Sequence, residues 1–125
     1  MRNSGNDSAM KRYDELRLFD FYAPLVTEHR REIMRLYYEE DLSLSEISEL
    51  LTERGQKVTR QGVHAALNEA LRQLSSYEDA LGLIKRHDEL IADVKKCREA
   101  LENGDNVLAL RMLQTIEETE QAEDL

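Results

Sequence analysis

Cysteine and proline each occur once in these 125 residues, tryptophan is absent and only five glycines are present. A single cysteine, Cys97, excludes an intramolecular disulfide and fits a reducing compartment, with the cytoplasm as the default expectation. No apolar run approaches the roughly 20 residues that a membrane span needs, and the polar residues 1–7 lack the apolar centre of a secretory signal, so neither insertion nor export is expected. β-Branched residues do not alternate with polar ones, so no strand is predicted, and a glycine-rich phosphate loop following a strand is excluded with it. His29, His64 and His87 stand in no ligand spacing, and no pair of carboxylates separates itself from the many solvated ones. The expectation is a protein that is not an enzyme and needs no cofactor.

What is present is helix. Apolar residues make up 41% and charged residues 34% of the chain, a balance that fits a helix-rich, all-α fold. A chain of this size can bury roughly 65% of the surface its unfolded form exposes. The net charge of −9 argues against a protein that holds nucleic acid by bulk attraction to phosphates. That charge is unevenly spread. Residues 1–42 hold 7 basic and 9 acidic groups, residues 43–74 hold 4 of each, and residues 75–125 hold 6 and 13.

Residues 1–12 are expected to be a disordered tail, because they offer little that can pack. From Tyr13 the apolar residues crowd into a short helix that Pro24 stops. Thr27 then caps a second helix carrying Ile33, Met34, Leu36 and Tyr37 on one stripe. Ser43 with Glu46 forms a capping box ahead of Leu44, Ile47, Leu50 and Leu51 at helical spacing. Thr59 caps another helix whose apolar face is Val63, Ala66, Leu67, Ala70, Leu71 and Leu74, with Arg60, Gln61, His64 and Asn68 on the opposite side. Two helices in this order, joined by a connection containing Gly55, are the signature of a helix-turn-helix. The same pattern describes two packed helices with no ligand. A typical turn takes about three or four residues, and the stretch from Thr52 to Val58 is longer.

If the pair meets nucleic acid, Thr59 and the amides after it would receive a phosphate, and Arg60, Gln61 and His64 would face base edges. Arg54 and Lys57 would hold the backbone, and Asn68 would lie at the margin. Beyond Thr59, Leu67, Ala70, Leu74, Tyr77, Leu81 and Ile84 recur in steps of four and three, the spacing of a seam offered to another helix. This seam predicts a homodimer, although a helix of the same chain would cover it equally well. Leu90, Ile91, Val94, Cys97 and Leu101, a stop at Asn103-Gly104, and a helix capped by Asp105 predict a helical hairpin over residues 83–118, followed by an acidic tail at 119–125. The helix-turn-helix domain is expected over residues 13–82.

Asp41-Leu42-Ser43-Leu44-Ser45-Glu46-Ile47, then Val58-Thr59-Arg60-Gln61-Gly62-Val63-His64 and Tyr77-Glu78-Asp79-Ala80-Leu81-Gly82-Leu83 together resemble the YlxM family. Leu18-Phe19-Asp20-Phe21-Tyr22-Ala23-Pro24-Leu25 and Leu36-Tyr37-Tyr38-Glu39-Glu40-Asp41 extend the match in the right order. The resemblance implies a small all-helical bundle with a helix-turn-helix like the promoter-reading region four of sigma factors, a long helix and a C-terminal helical hairpin. It further implies a regulatory role beside the signal recognition particle, through the particle's GTPase, its RNA or both. The chain departs from the family in the longer stretch between Leu51 and Val58, where relatives have a short turn ending in Gly-Val-Ser. Two other roles fit the residues: a dimeric regulator that reads duplex DNA, and an interaction module whose acidic surface takes a basic partner.

Overall fold

A computed structural model describes residues 4–123 of the chain. In chain order these form α1 (Ser4–Tyr22), a 3-10 turn (Ala23–Leu25), α2 (Glu28–Tyr38), α3 (Leu44–Glu53), α4 (Arg60–Leu81), α5 (Leu83–Glu102) and α6 (Asn106–Glu123), with no strand among the described residues. The chain divides into two compact units between Gly82 and Leu83.

In the first unit, α1, α2 and α3 all pack on α4. Its centre is built from Tyr22, Ile33, Met34, Ile47, Leu51, Val63 and Leu74, all with less than 2% of their surface exposed. Ile33, Met34, Ile47, Leu51, Val63 and Leu74 are residues that helical spacing places on the inner faces, whereas on α2 Tyr38 is buried and Tyr37, expected on the stripe, is only half-buried. The helices start where side chains satisfy the first amides. Thr27 Oγ1 accepts from the Arg30 amide at 3.3 Å. Ser43 Oγ accepts from the Glu46 amide at 3.1 Å while the Ser43 amide donates to the Glu46 carboxylate at 3.0 Å, the reciprocal capping box read from the sequence. The bond from the Ser43 backbone, with the Ser43 side chain adding to it, holds the Glu46 carboxyl below its ordinary value.

The N-terminal expectation changes. α1 begins at Ser4, so residues 4–12 of the expected tail are helical, and only residues 1–3 lie outside the described residues. Part of the cause is Arg12, a turn ahead of the apolar cluster. Its guanidinium lies over the Tyr37 ring, 4.7 Å from the centroid, and donates to the Tyr37 carbonyl at 2.7 Å and the Asp41 carboxylate at 2.9 Å. Asp41 has φ of 57°, an uncommon conformation for a residue with a side chain, and the Arg12 bond fastens that corner between α2 and α3. At the other end of the chain, α6 continues to Glu123 through residues of good helix propensity; residues 124 and 125 of the expected acidic tail lie outside the described residues.

Two tyrosine hydroxyls tie α1 into the unit. Tyr22 donates to Glu78 on α4 at 2.5 Å and Tyr38 on α2 donates to Glu15 at 2.6 Å. Burial, with the Glu15 carboxylate adding to it, pushes the Tyr38 phenol well above its usual range.

The expected seam is distributed differently from a surface strip. Leu67, Ala70 and Leu74 are buried, covered by this chain's own helices, so they serve its core rather than a second copy. Tyr77 turns inward as well: its ring lies 6.1 Å from that of Tyr22, and its hydroxyl accepts from Gln73 and donates to the Leu25 carbonyl. Leu81 stays half exposed. Ile84 belongs to the second unit, beyond Gly82, whose φ of 62° ends α4 in a left-handed cap that glycine adopts without steric cost.

The second unit is the hairpin of α5 and α6. Small residues make its seam. Cys97, Ala100 and Ala109 are buried, and the Cys97 thiol donates to the Ala109 carbonyl at 3.3 Å. Asp105 caps α6 by accepting from the Leu108 amide at 3.0 Å.

Candidate nucleic-acid interface

The connection between α3 and α4 is longer than an ordinary turn, yet it is bonded at both ends. Gly55, with φ of 89°, lets the chain leave α3, and the Gln56 amide donates back to the Leu51 carbonyl at 2.8 Å. The Val58 carbonyl then accepts from Ser48 Oγ at 2.6 Å and from Thr52 Oγ1 at 3.4 Å. Both hydroxyls sit on α3, so the returning strand of the connection is fastened to the helix it came from.

α4 therefore starts at a defined place. Thr59 is extended, and its Oγ1 accepts from the Gly62 amide at 3.0 Å. Gly62 has a second use here, because a Cβ at that position would come within 2.9 Å of a Val58 methyl. Val63 and Leu67 turn into the core, which directs Gln61, His64 and Asn68 outward; Arg60 lies toward the Val63 side but stands in the first turn of the helix, and all four polar residues are exposed. Arg60 and Gln61 are the first two helical residues. His64 Nε2 and Asn68 Nδ2 are 3.2 Å apart, a contact that aligns the two side chains along the outer face.

Thr59, Arg60, Gln61, His64 and Asn68 thus form one continuous polar stripe running from the N-terminus of α4. Lys57 is exposed on the connection just before it. Arg54 is also exposed but is engaged elsewhere: its Nη1 pairs with Glu32 on α2 at 3.2 Å. Glu32 accepts two bonds from Arg35 as well, and Arg35 reaches Glu40 at 3.0 Å. The Arg35 hydrogen bonds hold the Glu32 carboxyl below its ordinary range, against a smaller upward effect of burial, with Arg54 adding to the downward shift. The charge of Arg54 is therefore partly balanced within the fold. Its expected place beside a nucleic-acid backbone competes with this pairing.

Sequence spacing located the stripe and its cap, and missed the parts that hold it. Glu32 gives no local signal of its partnership with Arg54, because they are separated along the chain and meet only after α2 packs beside α3. Ser48 and Thr52 carried a weak signal, as hydroxyls one turn apart on the helix that precedes an extended return. Arg72, further along the outer side of α4, pairs with Glu69 at 3.3 Å and adds little net charge. Among the described residues, no group of three histidine, cysteine, aspartate or glutamate side chains is placed to hold a metal ion, and no helix is long and apolar enough to cross a membrane.

Residues 9–110 match the UPF0122 family model, described as helix-turn-helix proteins, YlxM / p13 like. Among curated relatives, the chain is 44% identical over 84 residues to a UPF0122 protein of Caldanaerobacter subterraneus subsp. tengcongensis, covering 67% of this chain and 68% of that one. It is 38% identical over 96 residues to a UPF0122 protein of Symbiobacterium thermophilum, with 77% and 85% covered. A UPF0122 protein of Clostridium perfringens strain 13 is 36% identical over 99 residues, with 74% and 84% covered. With the helix-turn-helix in place and the family model spanning both units, this chain belongs to the UPF0122 family of YlxM/p13-like helix-turn-helix proteins.

Proposed function

We propose that this protein is a non-enzymatic regulator of the signal recognition particle pathway, and that its helix-turn-helix meets the particle's RNA, alone or together with the particle's GTPase. The observation that carries this reading is the exposed stripe from Thr59 to Asn68 on a helix whose start is capped and whose preceding connection is fastened. Arg60, Gln61, His64 and Asn68 offer hydrogen bonds to base edges, and the α4 N-terminus favours a phosphate. The link to the particle comes from the family resemblance.

Electrostatics favour a structured RNA or an RNA–protein surface over unaided duplex DNA. Residues 43–74 carry Arg54, Lys57, Arg60 and Arg72 against Glu46, Glu49, Glu53 and Glu69, a net charge of zero. A neutral module gains little from counterion release, the source of most non-specific affinity for duplexes. Recognition of RNA loops and bulges relies more on shape and on contacts to unstacked bases.

The test is a pull-down of the particle's GTPase by the full chain, with its RNA present and after nuclease treatment, beside a direct titration with that RNA. Capture that requires RNA, or direct RNA binding, supports the proposal. Binding to duplex DNA with a steep salt dependence and none to the particle's components would replace it with the DNA-regulator reading.

A further inference from the structure

We propose that the α5–α6 hairpin is a dimerisation element, in which one face of the hairpin packs on the same face of a second copy to form an antiparallel four-helix bundle. This is independent of which nucleic acid or protein the helix-turn-helix meets.

The hairpin buries little by itself. Its buried side chains are Cys97, Ala100 and Ala109, whereas Val94, Leu101, Leu110 and Leu113 are exposed by 46%, 52%, 67% and 42%. These four share a face. The Cys97–Ala109 bond marks the line along which the helices meet. At about 100° per residue, Val94 and Leu101 lie roughly 40 to 60° to one side of that line on α5, and Leu113 and Leu110 lie roughly 40 to 100° to the same-handed side on α6. Because the helices run antiparallel, the same-handed side of each is the same face of the hairpin. One surface therefore carries an apolar strip contributed by both helices, of a kind that isolated surface side chains do not make.

Size and charge point to a second copy as the occupant. The 20 residues of α5 span about 30 Å, and two helices each about 10 Å wide make a face of roughly 600 Å². Two such faces together reach roughly 1,200 Å², the lower end of stable interfaces. α5 carries five basic and five acidic groups, whereas α6 carries Arg111 against Glu117, Glu118, Glu120 and Glu123. A twofold axis along the bundle lays each α5 on the partner's α6 and keeps the two acidic helices apart, on opposite corners. It also fixes the register without freedom to slide, which sets Glu117 within about one helical turn of the second copy's His87. The polar groups beside the strip are His87 and Arg98 on α5 and Glu117 on α6, and Arg86 pairs with Glu120 within the hairpin at 3.9 Å, so this arrangement brings no like charges together.

Equilibrium sedimentation of the full chain tests this, with circular dichroism as the check on folding. The wild type is expected to reach twice the chain mass, and Leu101→Glu with Leu113→Glu is expected to remain a monomer at the same concentrations with unchanged helicity. His87→Glu is expected to weaken the dimer about fivefold by facing Glu117 with a like charge, and adding Glu117→Lys is expected to restore it. A wild type that stays monomeric overturns the proposal, as does a dimer insensitive to Leu101→Glu with Leu113→Glu. Failure of the reciprocal pair to recover overturns the proposed register.

Discussion

The Ser48 hydroxyl on α3 donates to the Val58 carbonyl at 2.6 Å, tying the first helix of the helix-turn-helix to the residue that immediately precedes the Thr59 cap of the second. This bond resolves how a long connection coexists with a defined start for α4.

Removing the bond should therefore loosen the connection before it loosens the core. Ser48→Ala is expected to cost about 1 kcal/mol, the ordinary net value of such a bond. Ser48→Ala with Thr52→Ala is expected to cost more, since the half-buried Val58 carbonyl then loses both hydroxyl donors. Urea unfolding midpoints, with amide exchange of residues 54–59, check this. Unchanged exchange in the double variant would contradict it.

Two substitutions at Thr59 separate folding from binding. Thr59→Ala loses the cap on Gly62 and is expected to destabilise by about 1 kcal/mol. Thr59→Asp keeps a capping oxygen, so stability should stay near that of the wild type while a negative charge at the phosphate position weakens nucleic-acid binding at least several-fold. Thermal unfolding and an RNA titration on the same samples provide both readouts.

Much of the fold was legible because its determinants are local. Thr27, Ser43, Thr59 and Asp105 each cap the helix they precede, and Gly55 and Gly104 mark stops, whereas the seam read on to Ile84 runs past Gly82, where α4 ends. Apolar spacing gave the buried stripe of α4. It did not say what would cover that stripe, and Leu67, Ala70 and Leu74 met the chain's own helices instead of an outside partner. Periodicity describes one helix at a time, whereas covering is decided by its neighbours. The start of α1 was missed for a related reason: Arg12 gains its partners, Tyr37 and Asp41, only when α1 lies beside the end of α2. For the candidate site, the outward turn of Gln61, His64 and Asn68 was readable from their angle to Val63, but the exposure of Arg60 in the first turn and the diversion of Arg54 to Glu32 were not.

The buried reading of the α4 stripe has a direct energetic consequence. Leu74→Ala is expected to cost about 2–5 kcal/mol, as for other fully buried leucines, while Leu81→Ala should stay within about 0.5 kcal/mol at its half-exposed site. Equilibrium denaturation measures both. Similar small losses at the two positions would place Leu74 outside the core.

Acid should release the ion pairs around Glu32. Because the folded carboxyl titrates below its ordinary value of 4.5, its contribution to stability is fully present above that pH and is lost as pH falls through the lower, folded value. Melting temperature measured from pH 7 down to pH 3 should therefore fall less steeply in Glu32→Gln than in the wild type at the acid end. Parallel curves would show that the network with Arg35 and Arg54 contributes nothing measurable.

The central claim is that the outer stripe of α4 is a nucleic-acid contact surface. It is tested most directly by titrating the signal recognition particle's RNA with the wild type and with Arg60→Ala plus Gln61→Ala, following fluorescence anisotropy at several salt concentrations. Both residues are exposed, so helicity and melting temperature should be unchanged, and the account predicts an affinity loss of about 10-fold or more together with a shallower salt dependence. Equal affinity for the two proteins would contradict it.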